Sequence, residues 1–396
     1  MYSRRTKVGV FVLEGLNALG AALYYNYLFF HMRAEFGFGN LGNLFLCALN
    51  GLVYTAACWL GGRFAQRHGY FRALRLGFSV LVVALVGGGA LSRSLPGQFA
   101  AMLGWALGMA LTWSSLEAIT SEREPRVRLQ ILIGIYNVVW AAVTALAYFA
   151  GGAMMERWGA RSIFLVPAGL HVAQLVLLAW LERSVANQHS TGDEANALAE
   201  AAPREEPPPN LPVPPATFLK MAWVANPFAY IAINALVPVI PRLADRLELS
   251  PTFAGFFCSI WLFARALSFA LLWQWTKWHY RFRWLCGAYA AMAICFALIL
   301  LSLNIWVLFA AQVFFGLASG LLYYSSLFYS MDVGETKGEH GGYHEAAIGA
   351  GICIGPAVGA ASLWFFPASP NMNTWAVTGL LTAGFAWLLW LRHRRP

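Results

Sequence analysis

Ionisable side chains are scarce within the long apolar stretches of this sequence, and the few that occur there mark where chemistry is possible. Glu14 lies two turns into the first apolar stretch, Glu117 near the end of the fourth, and Arg265 inside the eighth; His344 and Glu345 open the eleventh. A charged residue at the centre of a bilayer costs about 2.5–3.5 kcal/mol on insertion scales, so each of these is a candidate for function. A carboxyl that exchanges its proton for an arginine partner is a simple device for coupling proton movement to a conformational change. An imidazole beside it adds a group that titrates near neutrality. Each candidate also has a plainer reading. His344 and Glu345 could be the solvated start of a helix, and Glu117 could join Glu122 and Arg123 in a loop charge network. Glu14 could pair with Arg4, Arg5 or Lys7, and Arg265 could belong to a static buried ion pair.

Uncharged polar and aromatic groups form a second set. Asn17, Asn26, Asn137, Trp140, Asn234 and Gln312 could hydrogen-bond a solute, and Tyr323 and Tyr324, with Tyr24, Tyr25 and Trp113, could stack on one. Aromatic residues also serve as ordinary membrane-interface anchors. Asn137 and Trp140 stand three residues apart, on one face of a helix. Enzymatic signatures do not appear: His344-Glu345 lacks a second histidine at zinc-protease spacing, and there is no phosphate loop, paired-cysteine motif or nucleophile elbow. The reading is of a chain that is not an enzyme and needs no cofactor or metal.

The elements that must position these residues follow from composition. Of 396 residues, 59% are hydrophobic and 11% charged, against about 25% charged in soluble domains. So few charges cannot cover a soluble globule of this size. Runs long enough to cross about 30 Å of hydrocarbon lie at Val8 to Phe30, Asn43 to Leu60, Leu74 to Leu91, Gln98 to Ile119, Leu129 to Gly152 and Ser162 to Leu181. They resume at Phe218 to Ile240, Thr252 to Trp273, Trp284 to Leu303, Ile305 to Ser330, Tyr343 to Phe366 and Thr374 to Leu391. The first reads as a retained span, because no small-residue cleavage site follows it. The fold class is all-α: twelve membrane helices in two six-helix repeats, residues 1–182 and 216–396. Between them, residues 183–215 form an acidic, proline-rich linker. All six cysteines fall within apolar runs and read as small core residues.

The net charge of +9 is explained by topology. Twelve spans put 20 of the 27 basic residues on the side of the chain termini and 6 on the other, with Arg265 in a span. That asymmetry predicts a multi-pass protein with both termini cytoplasmic and no nucleic-acid partner. The ratio of 23 arginines to 4 lysines points to a GC-rich bacterial genome, and the expected location is a bacterial inner membrane. Internal similarity is also visible. Phe99-Ala100-Ala101 and Trp113-Ser114-Ser115-Leu116 are echoed by Phe309-Ala310-Ala311 and Tyr324-Ser325-Ser326-Leu327, at offsets of 210 and 211. Two halves of equal orientation are a parallel repeat of the kind found in rocker-switch carriers.

After the second span the sequence reads Gly62-Arg63-Phe64-Ala65-Gln66-Arg67-His68-Gly69-Tyr70-Phe71-Arg72. This resembles the signature turn of the major facilitator superfamily, with Gln66 where that family usually has aspartate. The eleventh span carries Gly351, Gly355, Pro356 and Gly359, similar to the family's Gly-Pro-rich helix stretch, though that usually lies in the fifth span. The resemblance implies a secondary active carrier of a small organic solute, probing alternate sides of the membrane by rocking its halves, proton-coupled and monomeric. It also implies that Arg67 and Arg72 tie the turn to a neighbouring helix end, and that Arg265 and Glu345 share one depth of the C-terminal half. An aromatic-rich cavity with few charges leans toward export of amphiphilic compounds. The alternatives are uptake of a sugar or organic acid, and a carrier-fold sensor or scaffold that moves nothing, which the loss of the acid at Gln66 keeps open.

Overall fold

Helices that are apolar on every side need lipid or other helices around them, and the chain satisfies this with helix alone. A computed structural model describes residues 4–121, 126–186, 213–333 and 337–393. Its helices are α1 (Arg4–Phe36), α2 (Asn40–His68), α3 (Tyr70–Ala90), α4 (Leu95–Ser121), α5 (Arg126–Trp158), α6 (Ser162–Ala186) and α7 (Pro215–Leu236). Then come α8 (Ile240–Arg246), α9 (Pro251–Cys258), α10 (Ile260–Gln274), α11 (Phe282–Leu301), α12 (Ile305–Val333), α13 (Lys337–Phe365) and α14 (Met372–His393). A short 3-10 turn, Val237–Val239, joins α7 to α8 within one span, and α9 and α10 likewise make one, so the described residues hold twelve stretches able to cross a membrane. The linker between α6 and α7, with its acids and most of its prolines, lies outside the described residues, as does Arg123.

Among the first six helices, α1 packs on α5 and α6, α3 on α4 and α6, and α2 on α4. Among the later ones, α12 packs on α10, α11 and α7, while α13 and α14 pack on α7 and each other. Two seams join the sets: α2 runs along α13, and α5 along α9 and α10.

Three sequence expectations change. The seventh run is not one rod: it breaks at Val237–Val239, where Pro238 has no N–H to continue the ladder. The carbonyl that loses its donor, that of Asn234, accepts instead from the Cys47 thiol of α2 at 3.6 Å, and Asn43 Nδ2 donates to the carbonyls of Pro238 (3.1 Å) and Phe29 (3.2 Å). The helix that carries the eleventh span begins at Lys337, ahead of Tyr343, so Glu345 sits inside α13, at the start of its apolar stretch Glu345–Phe365. The signature segment, finally, is mostly helix. Gly62, Gln66 and Arg67 lie in the last turns of α2 and Arg72 in the first turn of α3, and the turn itself is Gly69 alone. Its φ of 91° is one that side-chain-bearing residues rarely adopt. The clamp expected from Arg67 and Arg72 does not form: both are exposed and neither has an ion pair among the described residues, the position of the missing acid being the uncharged Gln66. Arg75 instead pairs with Glu182, joining α3 to α6. In α13 the helix continues through Pro356, and Gly351 and Gly355 press on Pro227 and Ile231 of α7. A Cβ at Gly355 would stand 2.5 Å from the Ile231 carbonyl oxygen, and Gly359 faces Leu44 of α2.

Candidate functional site: a cavity between the two helix sets

Midway along the bundle a cavity of about 200 Å³ lies between the seams. The first six helices contribute Tyr25, Asn26, Asn50, Tyr54, Trp105, Tyr136 and Trp140 to its wall; the later ones contribute Tyr230, Asn234, Arg265, Tyr323 and Glu345. Arg265 and Glu345 are the only charged side chains in that lining.

Arg265 projects from α10, and only 4% of it is exposed. Its guanidinium carbon lies 4.9 Å from the ring centre of Trp140 (α5), 5.3 Å from Tyr323 (α12) and 5.6 Å from both Tyr230 (α7) and Phe269 (α10). These rings are steered by their own contacts. Trp140 donates through Nε1 to Asn137 Oδ1 at 3.1 Å, and Phe269 and Tyr323 pack against each other and against Trp140. The guanidinium makes one hydrogen bond, from Nη2 to the Tyr230 hydroxyl at 3.4 Å, while its buried Nε has no partner. No carboxylate lies within 4 Å of it among the described residues, so the ion pair expected between Arg265 and Glu345 is absent. Quadrupolar rings stabilise the cation by about 0.5–2 kcal/mol each, which is how α10 holds a positive charge there without a counter-ion.

Glu345 of α13, 8% exposed, is bonded instead across the seam: the Tyr54 hydroxyl of α2 donates to its Oε2 at 2.7 Å. It is therefore neither a solvated helix start nor the partner of Arg265. The carboxyls of Glu117 (α4) and Glu14 (α1) face it from the first set of helices. Glu117 is half-buried. Glu14 is fully buried, neither of its carboxyl oxygens has a hydrogen-bond partner, and the Tyr136 hydroxyl is turned toward it. The expected pairing of Glu14 with nearby bases does not occur, because its side chain turns into the bundle. Three acids from three helices thus converge on the termini side of the cavity. His344 lies on α13, but its side chain is outside the described residues.

The other candidates divide. Asn26, Trp140, Asn234 and Tyr323 line the cavity. Asn234 accepts from the Tyr25 hydroxyl at 3.0 Å and donates to the Tyr230 carbonyl at 3.0 Å, stitching α1 to α7. Asn26 turns back on the Ala22 carbonyl of its own helix, at 3.0 Å. Asn17 packs away from the cavity, donating to Thr112 Oγ1 at 3.3 Å, and Asn137 serves Trp140. Gln312 is buried outside the lining, and Tyr324 stacks among Phe269 and Trp278. Tyr54, Tyr136, Tyr230 and Asn50 went unnoticed in the sequence; each is one more polar residue in an apolar run, and no local spacing sets it apart.

On the side away from the termini the sets are closed on each other. Arg33 of α1 pairs with Asp245 of α8 at 2.6 Å, and Glu156 of α5 accepts from the backbone N–H (3.0 Å) and hydroxyl (2.5 Å) of Thr252 at the start of α9. Gly152 meets the Pro251 backbone nearby.

Residues 10–228 match the sequence model of the Major Facilitator Superfamily. No curated protein matches the chain in sequence. Among solved structures, the human organic anion transporter MFSD10 (TETRAN) superposes with a TM-score of 0.70 at 15% identity, over 97% of this chain and 99% of that one. The nucleoside transporter NupG superposes with a TM-score of 0.69 at 12% identity, over 98% and 100%. At such identities the likeness is one of fold.

Proposed function

We propose that this chain, which belongs to the major facilitator superfamily, is a proton-coupled secondary carrier of a small organic solute. Residues 1–182 and 216–396 act as two bodies joined by the 183–215 linker, and rock about the central cavity in a bacterial inner membrane with both termini in the cytoplasm. One observation carries this reading: the cavity's carboxyl belongs to one helix set and is held by a hydroxyl of the other, Glu345 by Tyr54. Gain or loss of a proton at Glu345 therefore acts on the contact that any rocking motion must break. Glu117 and Glu14 extend the carboxyl set away from the cavity, so that a proton has successive places to rest. The wall is largely aromatic, which suits amphiphilic solutes. Like the proton and the solute, the monomeric state belongs to this proposal.

Proteoliposomes holding the purified chain test it. With a pH gradient imposed, at least one solute from a panel of metabolites and drugs is expected to accumulate, and its movement to be accompanied by protons. If no member of a broad panel either drives or follows proton movement, the reading fails and a sensor or scaffold takes its place.

A further inference from the structure

We infer that the cavity takes a small organic monoanion, whose carboxylate or equivalent oxyanion binds the unfilled donors of Arg265 while its apolar body lies against the surrounding rings; this rests on the carrier reading above. A guanidinium offers five N–H donors in a rigid fork that matches a carboxylate. Among the described residues Arg265 makes a single hydrogen bond, the long one to Tyr230, and its buried Nε has no partner. A positive charge 4% exposed, with no counter-ion among the described residues, suits an anion.

The rest of the lining favours the same class. The only cavity carboxyl, Glu345, is engaged by Tyr54 and leaves Arg265 unneutralised. Four rings around a cation would otherwise suggest an ammonium ligand, but here the protein's own guanidinium fills the cage. An ammonium solute would meet an occupied site and a like charge. The cavity, about 200 Å³, has room for a small organic solute bearing one acid. Asn50, whose buried Oδ1 has no partner among the described residues, is left to read a polar substituent.

The test uses the full-length chain in detergent and isothermal titration with benzoate, phenylacetate, hexanoate and similar monocarboxylates, each beside its neutral amide and its amine. At least one acid is expected to bind, with its amide at least tenfold weaker. The acid's affinity should fall at least tenfold in Arg265→Gln and be partly retained in Arg265→Lys. Amides that bind as well as acids, amines that bind best, acids that fail to bind, or an unchanged affinity in Arg265→Gln would each overturn the proposal. The acid–amide comparison needs no variant, so a misfolded substitution cannot hide the answer. Transport separates the two readings: proteoliposomes that move only neutral or cationic solutes sink the anion site and leave the carrier standing. Acid binding without transport of any solute does the reverse.

Discussion

Gly152→Ala tests whether the α5–α9 contact closes one side of the cavity. A Cβ at Gly152 would stand 2.6 Å from the Pro251 carbonyl carbon and 2.9 Å from Thr252 Cα, where carbon contacts ordinarily begin near 3.4 Å. The obstacle is backbone, with no side chain to swing aside, and the Pro251 carbonyl oxygen would lie nearer still, so α5 and α9 must part by more than 0.8 Å (3.4 less 2.6). Overpacking of this kind costs about 1–3 kcal/mol, paid only while the helices touch. The gain in helix propensity on replacing glycine, about 1 kcal/mol, applies to both the closed and parted states and drops out. The balance should then move away from the closed form by roughly 5- to 150-fold, at 1.4 kcal/mol per decade. The strain would also pull at Glu156 and Thr252, which hydrogen-bond one turn away. Nitroxide labels at Arg157, in the last turn of α5, and at Leu303, between α11 and α12 on the same side and in the opposite set, would report the change by pulsed EPR in a cysteine-free background. The expected result is a longer mean distance and a new population. A distance distribution identical to that of the parent, with transport unaltered, would refute the claim that this seam is a gate.

Other substitutions follow from the same geometry. Glu345→Gln should abolish accumulation against a gradient while leaving solute exchange intact; a Glu345→Gln carrier that still accumulates solute removes Glu345 from coupling. Tyr54→Phe removes a hydrogen bond to a carboxyl, worth about 1.5–3 kcal/mol when the acceptor is charged, and should slow coupled transport roughly ten- to a hundredfold at constant expression, as measured by initial rates. Asp245→Asn breaks an ion pair whose side chains are 33% and 57% exposed; such pairs contribute at most about 1 kcal/mol, so transport should change less than about fivefold, and a larger effect would show that the pair is a latch. Gly69→Ala places a Cβ at φ 91° and should lower the melting temperature through a strain of about 1–2 kcal/mol, visible by thermal scanning in detergent.

The span count was legible in the sequence because a bilayer demands one property, apolar length, which can be read without knowing any partner. Kinks were not. Pro238 and Pro356 look alike in their apolar runs, yet one ends a helix and the other lies inside α13. At the Pro238 break the exposed carbonyls are met from α2, that of Asn234 by Cys47 and that of Pro238 by Asn43, contacts 187 and 195 positions away. The charged candidates were found for the right reason, the cost of burying them, but their partners were misjudged. Arg265 was expected to find an acid and found four rings; Glu345 was expected to find an arginine and found a tyrosine 291 residues upstream. Burial cost says that a partner is needed and is silent about whether charge, quadrupole or hydroxyl supplies it.

Both charged groups of the cavity belong to the later helices, and each also touches the first six: Glu345 through Tyr54, Arg265 through the face of Trp140. A ligand shifts a conformational equilibrium only by its difference in affinity for the two forms. A solute bound to Arg265 alone would ride with one helix set and shift nothing. One that also lies on Trp140 touches both sets and loses that contact when they separate. A contact between an aromatic solute and the indole, worth about 0.5–1.5 kcal/mol, then biases the sets toward closure by roughly two- to twelvefold, a range in which binding steers the motion without locking it. Trp140 is thus the residue through which solute and motion are joined, as Tyr54 joins proton and motion. Replacing Trp140 with leucine should preserve binding of the acid group while uncoupling it from closure.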